Sequence, residues 1–359
     1  MKKNYHFLLA TLIFGYACRA RHDVIRYSDP RIQYMGRIVT KDSSAELSWT
    51  ATTVSIAFDG TGIRALLKDE EGDNYYNVIV DGKVTTVLHL DKGKSLYTLA
   101  SGLPAGHHNL ELFKRTEWDK GKTWFYGLAP DAHTTLLPAP PAPKRKLEFY
   151  GNSITCGYAV EDSSGKDRGT APYENAYAAY ASITGRHFNA DYRCITKSGI
   201  GILISWFPLI MPEMWDRVDA TDTVTKWDFS RWTPDVVVIN LFQNDAWLTN
   251  MPGHEQFKAR FGKTAPGADV IVQAYKKFVQ GMREKYPRAA LICMLGNMDA
   301  SKPGAPWPGY IEKAVSQLDD KNIYTLIVPF KGTPGHPNIA EQKILADSLI
   351  DFMDTHIRW

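Results

Sequence analysis

The feature that most constrains this chain is a run of prolines near its middle. Residues 138–143 read Pro-Ala-Pro-Pro-Ala-Pro. Proline carries no backbone N–H and holds φ at about −65°, so such a run stays extended and joins neither a helix nor the interior of a sheet. The segments on its two sides must therefore build separate layers. A length of 359 residues leaves room for two domains.

The two sides also differ in periodicity. Across residues 31–137, segments such as Thr53-Val54-Ser55-Ile56-Ala57-Phe58 and Tyr76-Asn77-Val78-Ile79-Val80 alternate faces, with Asp59-Gly60, Asp81-Gly82 and Ala105-Gly106 between runs. Short alternating strands with turn pairs predict an antiparallel β-sandwich of the jelly-roll kind. Residues 138–144 form the linker. Across 145–359 the apolar runs become continuous: Leu147–Tyr150, Tyr192–Thr196, Val236–Leu241, Ala290–Leu295 and Tyr324–Val328. Helical patterns lie between them, through Tyr173, Tyr177 and Tyr180, through Val270, Ala274, Phe278 and Met282, and through Leu345, Leu349 and Phe352. Strands buried on both faces that alternate with helices predict a doubly wound α/β layer with a five-stranded parallel sheet. Its site belongs at the carboxyl ends of the strands.

The first residues read as a targeting segment rather than as fold. Lys2 and Lys3 precede the apolar stretch Phe7–Ile13 and the small-residue region Gly15-Tyr16-Ala17-Cys18, the layout of a secretory signal. Residues 1–17 are the expected signal and Cys18 the expected lipid attachment point, with ordinary cleavage after Ala20 as the alternative. Residues 18–30 read as a linker. The chain is thus expected to be exported, periplasmic or at the cell surface, with a membrane tether through Cys18. Without Lys2 and Lys3 the formal charge of +3 becomes 3 − 2 = +1, which argues against nucleic acid as a partner. Cys156, Cys194 and Cys293 lack the short spacing of a zinc site and read as buried thiols, one disulfide being the alternative.

Four segments stand where the predicted sheet places chemistry. Ser153, in Gly151-Asn152-Ser153, follows the first strand, where its hydroxyl is open to a substrate and backbone amides face a reacting oxygen. Gly199 and Gly201, in Lys197-Ser198-Gly199-Ile200-Gly201, follow the second strand and allow close backbone approach. Asn244 follows the third strand and offers a side-chain amide. His336, in Pro334-Gly335-His336-Pro337-Asn338, precedes the last helix and can take a proton from Ser153. Alone, each residue is an ordinary loop or capping residue. Their order along successive strands points to acyl transfer.

This order resembles the sequence blocks of the SGNH (GDSL-type) hydrolases, and Leu147–Tyr158 resembles the first block. The N-terminal half, with Gly36-Arg37, Trp49, Phe58-Asp59-Gly60, Asp81-Gly82 and Lys114-Arg115-Thr116-Glu117, together with Glu174-Asn175-Ala176-Tyr177, resembles more narrowly carbohydrate esterase family 2, which sets a jelly roll before an SGNH domain. The resemblance implies deacetylation of plant polysaccharides such as xylan or glucomannan, often at the sugar 6-position. It implies Ser153 as nucleophile and His336 as base. The implied oxyanion donors are the Ser153 N–H, Gly199 or Gly201, and Asn244. No metal, cofactor or obligate protein partner is called for. Trp206, Trp247 and Trp307 are the expected sugar platforms, while Trp118 and Trp124 are expected to be structural.

Two positions depart from the pattern. Phe242 stands where the third block begins with glycine, and is expected to reshape the pocket floor. Thr333 stands where the last block carries an aspartate three residues before the histidine. A Ser153–His336 dyad is therefore expected, with Asp299 as the alternative source of a carboxylate.

Overall fold

The computed structural model describes residues 24–359. The expected signal segment and Cys18 lie outside the described residues.

The N-terminal half is a sandwich of two antiparallel sheets. One runs Val39–Lys41, Ser44–Leu47, Thr123–Pro130, Ile63–Asp69, Gly93–Ala100; the other runs Thr135–Leu136, Thr53–Gly60, Gly106–Lys114, Tyr75–Val80, Lys83–His89. Val54, Ile56, Phe58, Leu110 and Leu112 of the second sheet meet Ala65, Leu67 and Phe125 of the first in one core. The alternation read from the sequence is this inward face. Asp81 and Gly82 have φ of +50° and +76° and close the hairpin between Tyr75–Val80 and Lys83–His89, as a two-residue turn with both φ positive requires. Asp59-Gly60 and Gly106 instead lie at strand ends. Ile25–Arg26 pairs with Thr123–Pro130, so part of the stretch read as a linker belongs to the sandwich.

The C-terminal half is a five-stranded parallel sheet: β1 (Arg145–Gly151), β2 (Ala190–Thr196), β3 (Val236–Asn240), β4 (Ala290–Leu295) and β5 (Ile323–Ile327), in the order β2-β1-β3-β4-β5. The five apolar runs of the sequence are these strands. Helices α1 (Ser153–Cys156), α2 (Tyr180–His187), α3 (Gln243–Leu248), α4 (Glu255–Phe261), α5 (Ala268–Lys285), α6 (Trp307–Ser316) and α7 (Ile339–His356) follow.

Two helical patterns need correction. The tyrosine series does not make one helix: single turns at Ala171–Tyr173 and Ala176–Ala178 precede α2. Asn175 accepts the Tyr177 N–H and starts a new turn there, a local bond that competes with a continuous helix. On α5 the buried stripe is Ile271, Tyr275, Phe278, Val279 and Met282, while Val270 faces solvent. The three described cysteines are buried free thiols.

The halves are locked together by polar side chains of the sandwich. Arg37, fully buried, donates to the carbonyls of Trp215 (2.6 Å) and Arg217 (2.8 Å), to Glu148 (2.9 Å) and to the Tyr150 hydroxyl (2.8 Å). The Trp49 indole donates to the Val218 carbonyl at 2.9 Å. Burying a guanidinium is costly unless it is paired and hydrogen-bonded, and every partner of Arg37 named here belongs to the C-terminal half.

Candidate active site

Ser153 opens α1 directly after β1, at the point where the strand order reverses. The turn is tight. A Cβ on Gly151 would lie 2.0 Å from Thr155 Oγ1, so only glycine fits. Asn152 caps α1 through its side chain, accepting the Ile154 N–H at 3.0 Å. The Ser153 N–H, in the first turn, has no partner within the helix.

Ser153 Oγ lies 2.8 Å from His336 Nε2. On the far side of the ring, Nδ1 lies 2.9 Å from both carboxylate oxygens of Asp167, and the His336 backbone N–H donates to the same carboxylate at 2.8 Å. Nδ1 therefore carries the proton, and Nε2 presents its lone pair to the serine. Burial opposes the charge of Asp167, but the hydrogen bonds and charge of His336 outweigh it and hold the carboxyl below its ordinary range. Tyr158 covers the imidazole with its ring centroid 4.5 Å away.

This arrangement corrects the expectation of a dyad. The carboxylate comes neither from the segment before His336 nor from Asp299. Thr333 turns toward α7 and bonds Glu341, while Lys331 donates to the Thr333 and Pro334 carbonyls at 3.0 Å each. Asp299 accepts the Trp247 indole N–H at 3.1 Å and pairs with Lys302 at 2.9 Å. Asp167 instead projects from the polar loop between Gly157 and Tyr173, in a left-handed conformation at φ +56°. Asp162 orders that loop, accepting Arg168 Nη2 at 2.6 Å and the Arg168 N–H at 2.8 Å.

The donor side of the site is built around Asn244, in the first turn of α3. Its Nδ2 donates to the Ile200 carbonyl (2.8 Å) and its Oδ1 accepts the Trp206 indole N–H (3.0 Å). One amide hydrogen remains. Gly199 has φ +81°, and its N–H finds no acceptor among the described residues. Gly201 is different: its N–H is spent on Ser205 Oγ at 2.9 Å, inside a loop that Asp245 holds by accepting the N–H groups of Ile202 (3.0 Å), Leu203 (2.7 Å) and Ile204 (3.2 Å). Gly201 is thus withdrawn from the expected donor set. Burial pushes Asp245 up to about 6, against the pull of those three amides.

A family model for the N-terminal domain of carbohydrate esterase 2 matches residues 34–140. The chain is 32% identical over 343 residues to the cellulase/esterase CelE of Acetivibrio thermocellus, covering 92% of this chain and 40% of that protein. It thus spans less than half the length of that relative. It is 29% identical over 331 residues to an acetylxylan esterase / glucomannan deacetylase of Cellvibrio japonicus, covering 87% of this chain and 84% of that one. The structure of a family two carbohydrate esterase from Clostridium thermocellum in complex with cellohexaose superposes with a TM-score of 0.79 at 31% identity, over 90% of this chain and 98% of that one. The chain belongs to carbohydrate esterase family 2.

Within this family 2 fold the remaining expected residues separate. Phe242 does not line the pocket. Its φ is +84°, and its ring points into the core against Tyr275 (4.6 Å) and Trp307 (5.0 Å). At that φ a glycine would sit without strain. Trp307 is only 5% exposed and belongs to the core, which removes it from the sugar platforms. Trp206 is 41% exposed, with its indole N–H anchored on Asn244. Trp247 is half-buried and lines a cleft of about 510 Å³ with Asp167, Asp299, Lys302, Phe330 and Thr333.

Proposed function

We propose that this chain is a serine esterase that removes O-acetyl groups from plant polysaccharides or their oligosaccharides, xylan and glucomannan being the reference substrates. The observation that carries the reading is the continuous relay from Asp167 through His336 to Ser153 Oγ. Family membership and the relatives named above support the acetylated carbohydrate as substrate.

In this reading His336 takes the proton of Ser153 as its oxygen attacks the acetyl carbonyl. Negative charge then develops on the carbonyl oxygen. The Ser153 N–H, the Gly199 N–H and the free Asn244 amide hydrogen receive it, each critical donor contributing about 3 kcal/mol. Asp167 holds the Nδ1–H tautomer and stabilises the imidazolium. His336 returns the proton to the departing sugar oxygen, leaving acetyl-Ser153. Water, deprotonated by the same histidine, releases acetate and restores the serine. Trp206 offers a sugar ring a flat apolar face beside the donors.

The test is acetate release from acetylated xylan, acetylated glucomannan and an aryl acetate by the wild type and Ser153→Ala. Release by the wild type alone is expected. A folded wild type that releases none would overturn the esterase reading, and release that persists in Ser153→Ala would overturn the nucleophile. We also propose that the protein acts outside the cytoplasm on a lipid anchor. Cys18→Ala is then expected to move it from the membrane to the soluble fraction.

A further inference from the structure

Glu117 is buried at the junction of the two halves, where the mechanism above does not use it. It comes from the sandwich, three residues after the strand Gly106–Lys114. One carboxyl oxygen accepts the Ser198 N–H at 2.8 Å. The same oxygen lies 3.7 Å from Cys156 Sγ. Ser198 immediately precedes Gly199, and Cys156 ends the short helix that Ser153 begins. A single carboxyl from the other domain therefore touches both segments that supply the backbone donors.

The surroundings present this group deliberately. Lys114 Nζ, itself buried, donates to the carbonyls of Thr116 (3.3 Å) and Glu117 (3.2 Å) and shapes the turn. Glu174 accepts the Glu117 N–H at 3.2 Å. Burial, and then the neighbouring Glu117, push Glu174 up to about 8. Lys120 pairs with Glu174 at 3.0 Å and with Asp119 at 3.1 Å, and Lys197 lies 3.7 Å from Asp119. Lysines thus already supply the positive charge in this acidic group. The other oxygen of Glu117 has no hydrogen-bond partner among the described residues. Burying carboxyls side by side is a poor way to glue two domains, since apolar side chains of similar volume do as well or better. Holding a peptide N–H at a set place is a task that apolar groups cannot perform.

We infer that Glu117 is a positioning residue for the oxyanion hole: the sandwich domain reaches into the catalytic domain with this side chain, holds the Lys197-Ser198 peptide through the Ser198 N–H and thereby sets the next N–H, that of Gly199, toward Ser153. The inference rests on the esterase reading. The sandwich then completes the active site instead of merely accompanying it.

The experiment compares two conservative variants on an aryl acetate, with thermal unfolding of each. Glu117→Gln keeps an acceptor oxygen at the same reach. Glu117→Asp keeps a carboxyl but withdraws it by one methylene. A donor displaced by about 1 Å costs on the order of 10²-fold in rate. Glu117→Gln is therefore expected within about 3-fold of wild-type kcat, and Glu117→Asp about 10- to 100-fold below it, with KM unchanged in both. Wild-type kcat in a folded Glu117→Asp would overturn the inference. So would equal losses in both variants that follow lowered melting temperatures. An inactive wild type would count against the esterase reading instead.

Discussion

The Asp167 carboxylate accepts hydrogen bonds from two nitrogens of one residue, the backbone N–H of His336 at 2.8 Å and its Nδ1 at 2.9 Å. The two contacts fix both the position of the loop and the rotation of the ring. Asparagine in place of Asp167 keeps the size but removes the charge and offers an N–H to Nδ1, favouring the wrong tautomer. Asp167→Asn is expected to lower kcat by about 10²- to 10⁴-fold, with KM little changed. Steady-state kinetics on an aryl acetate measures this, and a wild-type kcat would restore the dyad.

Asn244→Ala removes one of the proposed donors to the oxyanion and leaves the Trp206 indole without its acceptor. A fall in kcat of about 10²- to 10³-fold is expected. Loss appearing only in KM would place Asn244 in substrate binding and outside the oxyanion hole.

The two glycines of the second block are expected to respond differently to alanine. A Cβ on Gly201 would lie 2.0 Å from the Ile204 carbonyl oxygen and 2.6 Å from the Asp245 carboxylate. Gly201→Ala should cost about 3 kcal/mol of stability or prevent folding. On Gly199 the nearest atom is a Phe207 ring carbon at 3.1 Å, and the obstacle is its φ of +81°, a cost of about 1–2 kcal/mol. Gly199→Ala should fold and lose kcat. Urea unfolding midpoints with kinetics on the folded variant separate the two cases.

Trp206 and Trp307 make a second contrasting pair. Trp206→Ala is expected to raise KM for an acetylated oligosaccharide by about 3- to 10-fold, the equivalent of one lost stacking contact, and to do less to KM for a small aryl acetate. Trp307→Ala should lower stability by about 3–5 kcal/mol through the cavity it leaves. An oligosaccharide KM that does not move in Trp206→Ala would discard that platform.

Glu174 links stability to pH. Its folded value is about 8 against an ordinary 4.5. Between those values the folded protein keeps a proton that the unfolded chain has lost. The stabilisation is therefore full below about pH 4.5 and drains away as pH rises toward 8. Glu174→Gln has no proton to lose. The stability of the wild type relative to this variant should fall steadily from pH 5 to 7.5, as read by urea midpoints. A difference independent of pH would contradict the raised value.

Much of this fold was legible because its signals are local. The five apolar runs became the five parallel strands, since a strand covered on both faces shows no alternation to conceal it. Asp81-Gly82 became a hairpin because both residues tolerate positive φ. The tyrosine series misled because its spacing suits a helix while Asn175 offers the backbone a competing bond. Phe242 misled in another way: residue type announced bulk in a pocket, but backbone direction sends the ring into the core.

By itself the sequence determined the two layers, the rim on which a site must lie, and the order in which Ser153, the block holding Gly199 and Gly201, Asn244 and His336 reach it. Each of these follows from periodicity or from a neighbour a few residues away. The structure chose between the two glycines, because the Gly201 N–H is spent on Ser205. Only the tertiary structure decided which carboxylate meets His336. Asp167 is separated from it by 169 positions and is one of several acids in a polar loop, so no spacing could select it. The same holds for Glu117, which stands 81 positions from Ser198 and in the other domain. Its partner is set by how the sandwich docks, through the buried bonds of Arg37 and Trp49, and no periodicity in the chain records that contact.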